Sequence, residues 1–594
     1  MRMITWNGLL WSVLACCLLL SGAFAADLPS AARQEIRWLK QHVPGFRTVR
    51  FRRSPGRVEV PSGSSFTVED LRGLPLDENP PVLGKPAGDY PRQHSDTHPP
   101  GEAPYVARDI APFRFEHFDC EFNYGGWHNF EMVDYASTHG FNIIFPYIRS
   151  WEKHRELLQH LPEGTEYLSW GGGVKWKDVL PDRKIPGKRF DRFAELSEEV
   201  DMVRRAVEAG SLSKPDWQTY KMIDIEHGPL DPATLREQEW YPADATEARR
   251  QAFERRYYHG FALTYLLPVR VARRQGWEHI SIYGWQPSPR TWHGLRTDEI
   301  FQRTAWRWER YGRDIYEEID LLNPSVYCFY WTPRNVAYTL AIIDMNMRRI
   351  VPMPRQKPIR PYYWTLLHGG GTGWRWWKNQ PLPNEEARAM TAMGFFTGFD
   401  GFVTWNWSGT GNHHRPGPIE KDADLMLADG FALTPTGGGK EHRFRRYDVL
   451  HVTAEVEEEM VTFQPIMPGE KDRGVGEDRP AYTMKREELG QHLRAKSDPV
   501  SAVIEGMALV KPVEYILRHG EAKIDVPAQR QWQEKLPVIR RVKLGPYHLV
   551  VTYDPGVVHG GQPRRIELED FDGQKGLSVS LPADEKTRVF VLEE

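Results

Sequence analysis

The chain has 594 residues, with 77 Lys and Arg against 80 Asp and Glu, for a net charge of −3. Hydrophobic residues make up 40% and charged residues 26%, a folded globular composition that excludes a disordered chain. The near-neutral balance leaves no electrostatic footprint for nucleic acid, and four Cys are too few for a disulfide scaffold. The outlying number is aromatic: Trp, Tyr and Phe together reach 12%.

Residues 1–25 read as a secretory signal peptide. Arg2 is their only charge, Leu9 to Leu20 is largely apolar, and Ala23-Phe24-Ala25 is a small-x-small site that places cleavage before Ala26. The apolar stretch is shorter than the ~20 residues a membrane span needs. A membrane anchor is therefore the lesser alternative, and acylation at Cys16 a further one. No later segment is long and apolar enough to span, so no transmembrane segment is expected after cleavage, and the expected location is secreted or periplasmic. Cleavage removes Cys16 and Cys17. Cys120 and Cys328 then remain, read as two unpaired buried thiols, although an oxidising compartment would allow them to pair.

Residues 26–74 form a small N-terminal segment with a predicted helix near Ala31 to His42. Residues 75–112 are dense in proline, including Pro80-Pro81 and Pro99-Pro100, and read as a linker. His94 and His98 lie there without further ligands at firm spacing, so no metal site is expected, and no cofactor. From 113 to 439 short apolar runs alternate with longer amphipathic ones. The predicted strands are Phe113 to Phe122, Phe141 to Tyr147, Tyr167 to Trp170, Met222 to Glu226, Ile280 to Trp285, Ser325 to Trp331, Ile359 to Thr365 and Gly401 to Trp407. Alternation of strand and helix over this length predicts a (β/α)8 barrel. The rival, an open doubly wound sheet, needs a Gly-rich phosphate turn after its first strand, and Asn123-Tyr124-Gly125-Gly126-Trp127 is not one. From 440 to 594 short strand-like runs dominate, with helical periodicity only around Met484 to Ala495. The predicted fold class is therefore α/β: a TIM-like (β/α)8 barrel followed by a C-terminal β-sandwich.

In such a barrel catalytic groups come from the C-terminal strand ends. The first strand offers Asp119 and Glu121, and the fourth Asp224 and Glu226. Aromatics dominate the later ends: Tyr283 and Trp285, Tyr327, Tyr363, then Trp405 and Trp407. Sugar C–H faces stack on Trp and Tyr while polar groups bind the edges, so this mixture suits a polysaccharide or oligosaccharide substrate. Part of the aromatic set must also fill the barrel interior.

Asp224-Ile225-Glu226 is the sharpest feature. Residues i and i+2 of a strand face the same side, so both carboxylates enter one space. Two close carboxylates raise one pKa, which lets one hold a proton near neutral pH, as a general acid must. A salt-bridged structural pair is the competing reading. Glycosidases with two catalytic carboxylates need the second at about 5 Å or about 6.5–9.5 Å. The predicted fifth to eighth strands supply none, so Asp119 or Glu121 would have to serve. The simpler alternative is substrate assistance. An N-acetyl oxygen of the substrate attacks, Asp224 orients the acetamide, a Tyr hydroxyl holds the acetyl oxygen, and Glu226 protonates the leaving oxygen.

These segments resemble the hyaluronidase family, and more distantly chitinases that share the D-x-E strand. Met222-Ile-Asp-Ile-Glu226 is similar to the family's V-I-D-W-E strand, with Ile225 in place of Trp. Ile282-Tyr-Gly-Trp-Gln-Pro287 is similar to G-Y-Y-x-x-P, Asn323-Pro-Ser-Val-Tyr327 to F-P-S-I-Y, and Gly401-Phe-Val-Thr-Trp405 to G-V-V-L-W. The resemblance spans about 222–407. It implies a hyaluronidase- or hexosaminidase-like hydrolase with Glu226 as acid and Asp224 as its partner. It also implies Tyr283 in the sugar-binding wall, Tyr327 on the acetamide and Trp405 as the floor of the cleavage subsite. A two-carboxylate hydrolase on a non-acetylated sugar and a non-catalytic carbohydrate-binding barrel stay open as alternatives.

Overall fold

The structure, a computed structural model, describes residues 30–50, 58–82, 109–124, 130–146, 161–170, 220–224, 229–284, 305–329, 334–350, 357–365, 382–406, 424–427, 430–444, 448–456, 459–466, 479–493, 499–556, 562–569, 576–584 and 586–593, with 332, 367, 419 and 421 singly. The signal segment, most of the proline-rich linker, and Glu226, Trp285 and Trp407 lie outside the described residues.

The central element is a seven-stranded parallel sheet. Its order is His279–Ile282, Tyr220–Ile223, Glu166–Trp170, Ile143–Pro146, Asp119–Tyr124, Gly401–Asn406 and Tyr362–Trp364. Parallel neighbours need long crossovers, and helices Phe130–Thr138, Glu247–Arg274, Asn335–Ile350 and Asn384–Phe396 lie in those connections. Segment 321–326 runs between the two outermost strands. It meets them through parallel bridges Tyr283 to Asn323, Leu322 to Ile359 and Ser325 to Tyr362. The Gly284 N–H donates to Asn323 O at 3.0 Å, and the Tyr362 N–H to Pro324 O at 2.7 Å.

Alternation along the strands sorts side chains into two apolar bodies. Cys120, Phe122, Ile144, Ile280, Ile282, Tyr363 and Phe402 join the large core under the helices. Ile143, Tyr220, Met222, Tyr283, Tyr327, Tyr362, Trp364 and Val403 form a separate cluster on the other face. Cys120 and Cys328 are both buried and free. Among the described residues no helix is long and apolar enough to cross a membrane.

The C-terminal region departs from the sequence expectation in three ways. First, it is not nearly helix-free: Pro499–Val510, Glu514–His519 and Ala528–Glu534 are helical. The first of these is apolar on every side, so it lacks the amphipathic period that marks a surface helix. Ala502 to Val510 is almost entirely buried, and Glu505 pairs with Arg388 of Asn384–Phe396. Second, N-terminal strands belong to C-terminal sheets. Val49–Arg50 pairs in parallel with Arg588–Glu593, and Val58–Val60 with Gly576–Leu581. The two sheets that contain them share one apolar cluster, with Val60, Val550, Leu577, Val579 and Phe590. Third, a further antiparallel sheet starts at Asp424–Met426, ahead of the expected boundary at 440, and runs through Val449–Val456, Met460–Ile466 and Tyr482–Lys485.

Two features fix these parts on the parallel sheet. Fully buried Arg540 donates to Asp344 Oδ2 of helix Asn335–Ile350 at 2.9 Å and to Thr397 Oγ1 at 3.1 Å. Gly401 opens its strand at φ +146°, where a Cβ would stand 1.7 Å from the Asp119 carbonyl oxygen. The close pairing of Gly401–Asn406 with Asp119–Tyr124 thus depends on glycine. Gly401→Ala is expected to cost about 3 kcal/mol or more, as overpacking and an unfavourable φ combine. Chemical denaturation measures it, and a loss under about 1 kcal/mol would show that the strands separate freely.

Candidate functional site

The inner face has two chemically distinct ends. At the C-terminal end, Asp224 follows directly on Tyr220–Ile223 and is half-buried. By the i, i+2 rule it shares the inner face with Tyr220 and Met222. Aromatic rings from the neighbouring strands gather there. Tyr283 lies edge-on to Tyr362 at 5.0 Å between centroids, 6.0 Å from Tyr327, and stacked with Trp405 at 6.5 Å. Tyr327 meets Trp364 edge-on at 5.2 Å, and Tyr362 lies 6.2 Å from Trp405. Phe329 and Trp405 are partly exposed at its margin.

Polar atoms are threaded through this cluster. The Tyr362 hydroxyl donates to Met222 Sδ at 3.0 Å, and Tyr283 Oη and Ser325 Oγ are 3.4 Å apart. Burial pushes the Tyr362 hydroxyl pKa well above the usual tyrosine value, and the charges of Glu121 and Asp224 push it further the same way. That hydroxyl therefore stays protonated and lies within electrostatic reach of Asp224. Aromatic faces beside one half-buried carboxylate are equipped to stack on a ring and bind its polar edge.

The N-terminal end is a charge cluster. Arg360, buried just ahead of Tyr362–Trp364, is ion-paired with Asp119 and lies 3.3 Å from Glu121 Oε1. Its Nη2 is 3.4 Å from Tyr220 Oη, and its guanidinium lies over the Tyr220 ring at 5.3 Å. His279 stacks on the same Tyr220 ring at 4.6 Å. Burial lifts the Glu121 carboxyl to about 7, against the pull of Arg360. Burial likewise raises Glu166 nearby.

Of the residues singled out in the sequence, the structure brings Tyr283, Tyr327 and Trp405 together, with Asp224 at the end of Tyr220–Ile223 and within electrostatic reach of Tyr362 in the same cluster. Glu226, Trp285 and Trp407 lie outside the described residues. Two expectations are corrected. Asp119 and Glu121 do not sit at a C-terminal strand end. Asp119 opens its strand opposite Gly401, and both carboxylates are engaged by Arg360 at the far end of the sheet. Tyr363 faces the helices instead of the inner face. Its hydroxyl donates to Met390 O at 3.0 Å, and it packs on Phe399 and Phe402 beneath Gly394, where a Cβ would come within 2.9 Å of the hydroxyl. Tyr362 and Trp364 occupy the inner face in its place. The available signal was parity with Arg360, whose charge is poorly suited to the apolar helix side.

No family model matches the chain, and no curated protein matches it in sequence. Among solved structures it is similar to bee venom hyaluronidase in complex with a hyaluronic acid tetramer, at 16% identity over 50% of this chain and 92% of that one, TM-score 0.33. It is also similar to a GH18 chitinase from Pseudoalteromonas aurantia, at 12% identity over 49% and 95%, TM-score 0.28. A third likeness is to an Anoxybacillus alpha-amylase, at 8% identity over 80% and 98%, TM-score 0.31. The neighbours are glycoside hydrolases of several families, and likeness at this level carries no weight for this chain's activity.

Tyr363→Phe removes one buried hydrogen bond and is expected to lower the unfolding free energy by about 1 kcal/mol. Urea titration measures this, and an unchanged midpoint would refute the helix-facing assignment of the hydroxyl.

Proposed function

We propose that the chain is a secreted glycoside hydrolase on a (β/α)8 barrel, cleaving an N-acetylhexosamine-containing glycan with substrate-assisted retention. The observation that carries this reading is the gathering of Tyr283, Tyr327 and Trp405 from separate strands onto one face, around a Tyr362 whose hydroxyl lies within electrostatic reach of Asp224. The bridges of segment 321–326 to both outermost strands support an eight-membered ring as its frame. The paired sheets around Val550 and Val579 support a sandwich behind it. The export signal in residues 1–25 belongs to the same reading.

In this mechanism the substrate's acetyl oxygen attacks the anomeric carbon as the glycosidic C–O bond breaks. Glu226 gives its proton to the leaving oxygen. Asp224 accepts the acetamide N–H and stabilises the positive charge that develops on the closed ring. The Tyr327 hydroxyl holds the acetyl oxygen in line. Tyr283, Trp285, Trp405 and Trp407 stack on the sugar. Glu226, now a carboxylate, takes a proton from the water that reopens the ring at the anomeric carbon. The engagement of Asp119 and Glu121 with Arg360 at the opposite end disfavours a second catalytic carboxylate from that strand.

Glu226→Gln is expected to lower kcat about 10²–10⁴-fold on chitin or hyaluronan oligosaccharides, the range of general acid catalysis, with folding intact by circular dichroism. Asp224→Asn is expected to lower kcat on the order of 10²-fold. A thiazoline mimic of the closed ring should inhibit competitively. Persistent hydrolysis with no thiazoline binding would eliminate substrate assistance, and near-wild-type activity of Glu226→Gln would eliminate the acid assignment.

A further inference from the structure

Below the aromatic cluster the interior holds more carboxylate than cation. Asp119 and Glu121 share one guanidinium, that of Arg360, with Glu166 close enough to influence both Glu121 and Tyr220. The Asp119 side chain is 43% exposed, whereas that of Glu121 is 1% exposed. Glu121 Oε1 has a single long contact with Arg360, and its buried Oε2 has no hydrogen-bond partner among the described residues. Arg360 Nε is likewise buried without a partner. Solvation therefore decides between the two acids. Asp119 is partly in water and paired with Arg360, while an ionised Glu121 would leave one oxygen bare in a low-dielectric interior.

The groups facing Glu121 come from several elements. Its own strand supplies Asp119. The segment leading into Tyr362–Trp364 supplies Arg360 and then Tyr362, and the strands Glu166–Trp170 and Tyr220–Ile223, two and three places along the sheet, supply Glu166 and Tyr220. Strands Ile143–Pro146 and Gly401–Asn406 turn only Ile143 and Val403 toward this space among their described inner residues. Glu121 and Tyr362 are both in register with Val403, on either side of Gly401–Asn406, and the Tyr362 hydroxyl donates to Met222 Sδ at 3.0 Å, two residues before Asp224. One tyrosine therefore links the charge cluster to the candidate site.

We propose that Glu121 is a positioning acid of the reaction: as the neutral acid it lets Asp224 act as the charged carboxylate on Tyr362 and the aromatic site. This role rests on the glycosidase reading of that site. Ionised, Glu121 would be a second anion around the same hydroxyl, and like charges in one interior raise each other's proton affinity. Either Asp224 then takes up a proton, or Arg360 is drawn away from Asp119. Proton uptake neutralises the carboxylate that would orient the acetamide, so activity falls as Glu121 ionises. Burial places that ionisation at about 7.

The test compares pH profiles of kcat for the wild type, Glu121→Gln and Asp119→Asn on chitin and hyaluronan oligosaccharides. The wild type should lose activity on the alkaline side with a midpoint near about 7. Asp119→Asn removes a repelling charge and frees Arg360 for Glu121, so the midpoint should move down by about one pH unit. Glu121→Gln should keep only the alkaline limb set by the general acid Glu226, at a midpoint that Asp119→Asn no longer moves. A merely structural Glu121 would give a uniform loss at every pH and an unmoved midpoint in Asp119→Asn, and that result overturns the proposal.

Thermal melts read the same group without substrate. A carboxyl raised from 4.5 to about 7 on folding binds more protons in the native state, so its contribution to stability falls across that window. Relative to Glu121→Gln, the wild type should lose melting temperature between pH 4.5 and about 7 and hold level above. A difference that is flat with pH overturns the neutral acid, whatever the assays show. A wild type that turns over no glycan refutes the glycosidase reading, and this catalytic role with it, while the melts still decide the charge of Glu121.

Discussion

The organisation of this protein depends on a constraint set by its parallel sheet: each strand must bury both faces. One face is covered by the crossover helices, and on the other the strands' own side chains form a separate apolar cluster. Alternation then sends Cys120, Phe122 and Phe402 outward to the helices and leaves Tyr283, Tyr362 and Trp364 to fill the inside. The high aromatic share follows from this demand. A small inner space lined by several strands is filled efficiently by rings, and where the rings reach the C-terminal strand ends they stop being filler and become a wall.

The same constraint explains why the inner face is divided by polarity. Charge can enter such an interior only at an end, where water or a counter-ion is available. At the N-terminal end that counter-ion is Arg360, which neutralises Asp119 and approaches Glu121. At the C-terminal end Asp224 is half-buried beneath aromatic rings. Met222 and Tyr362 separate the two ends, joined by a hydroxyl-to-sulfur hydrogen bond. A thioether is a weak acceptor, so this layer insulates more than it conducts, and influence between the ends is electrostatic.

Much of this was legible in the sequence. The eight apolar runs from 113 to 407 are strands or bridged segments because short buried strands flanked by long amphipathic runs have few other solutions. Tyr283, Tyr327 and Trp405 fall together because they are turned to one face of the sheet. What failed was parity and polarity of position. Tyr362, Tyr363 and Trp364 look alike in composition, and only the companion Arg360 reveals which of them faces inward. The apolar run that starts at Phe113 makes Asp119 and Glu121 look like a strand end. The strand itself begins at Asp119, so the acids open it. Helix Pro499–Val510 was illegible for the opposite reason: buried all round, it carries no periodic contrast.

The pairing of N-terminal strands with the last strands of the chain was beyond any local signal, since residues 49–66 meet residues 576–593 only through tertiary structure. Buried charges hold that assembly in register. Arg540 reaches from its sheet to Asp344 and Thr397, and Arg388 reaches Glu505. Such pairs recover little net stability over an apolar contact, because desolvation offsets their attraction. They punish misalignment, however, since a shift of one residue would strand a guanidinium in the core. Helices Asn335–Ile350 and Asn384–Phe396 are the ones held this way, and they lead into and out of Tyr362–Trp364. The distant sheets thereby fix the strand that carries the inner rings, so the candidate site depends on contacts made far from it.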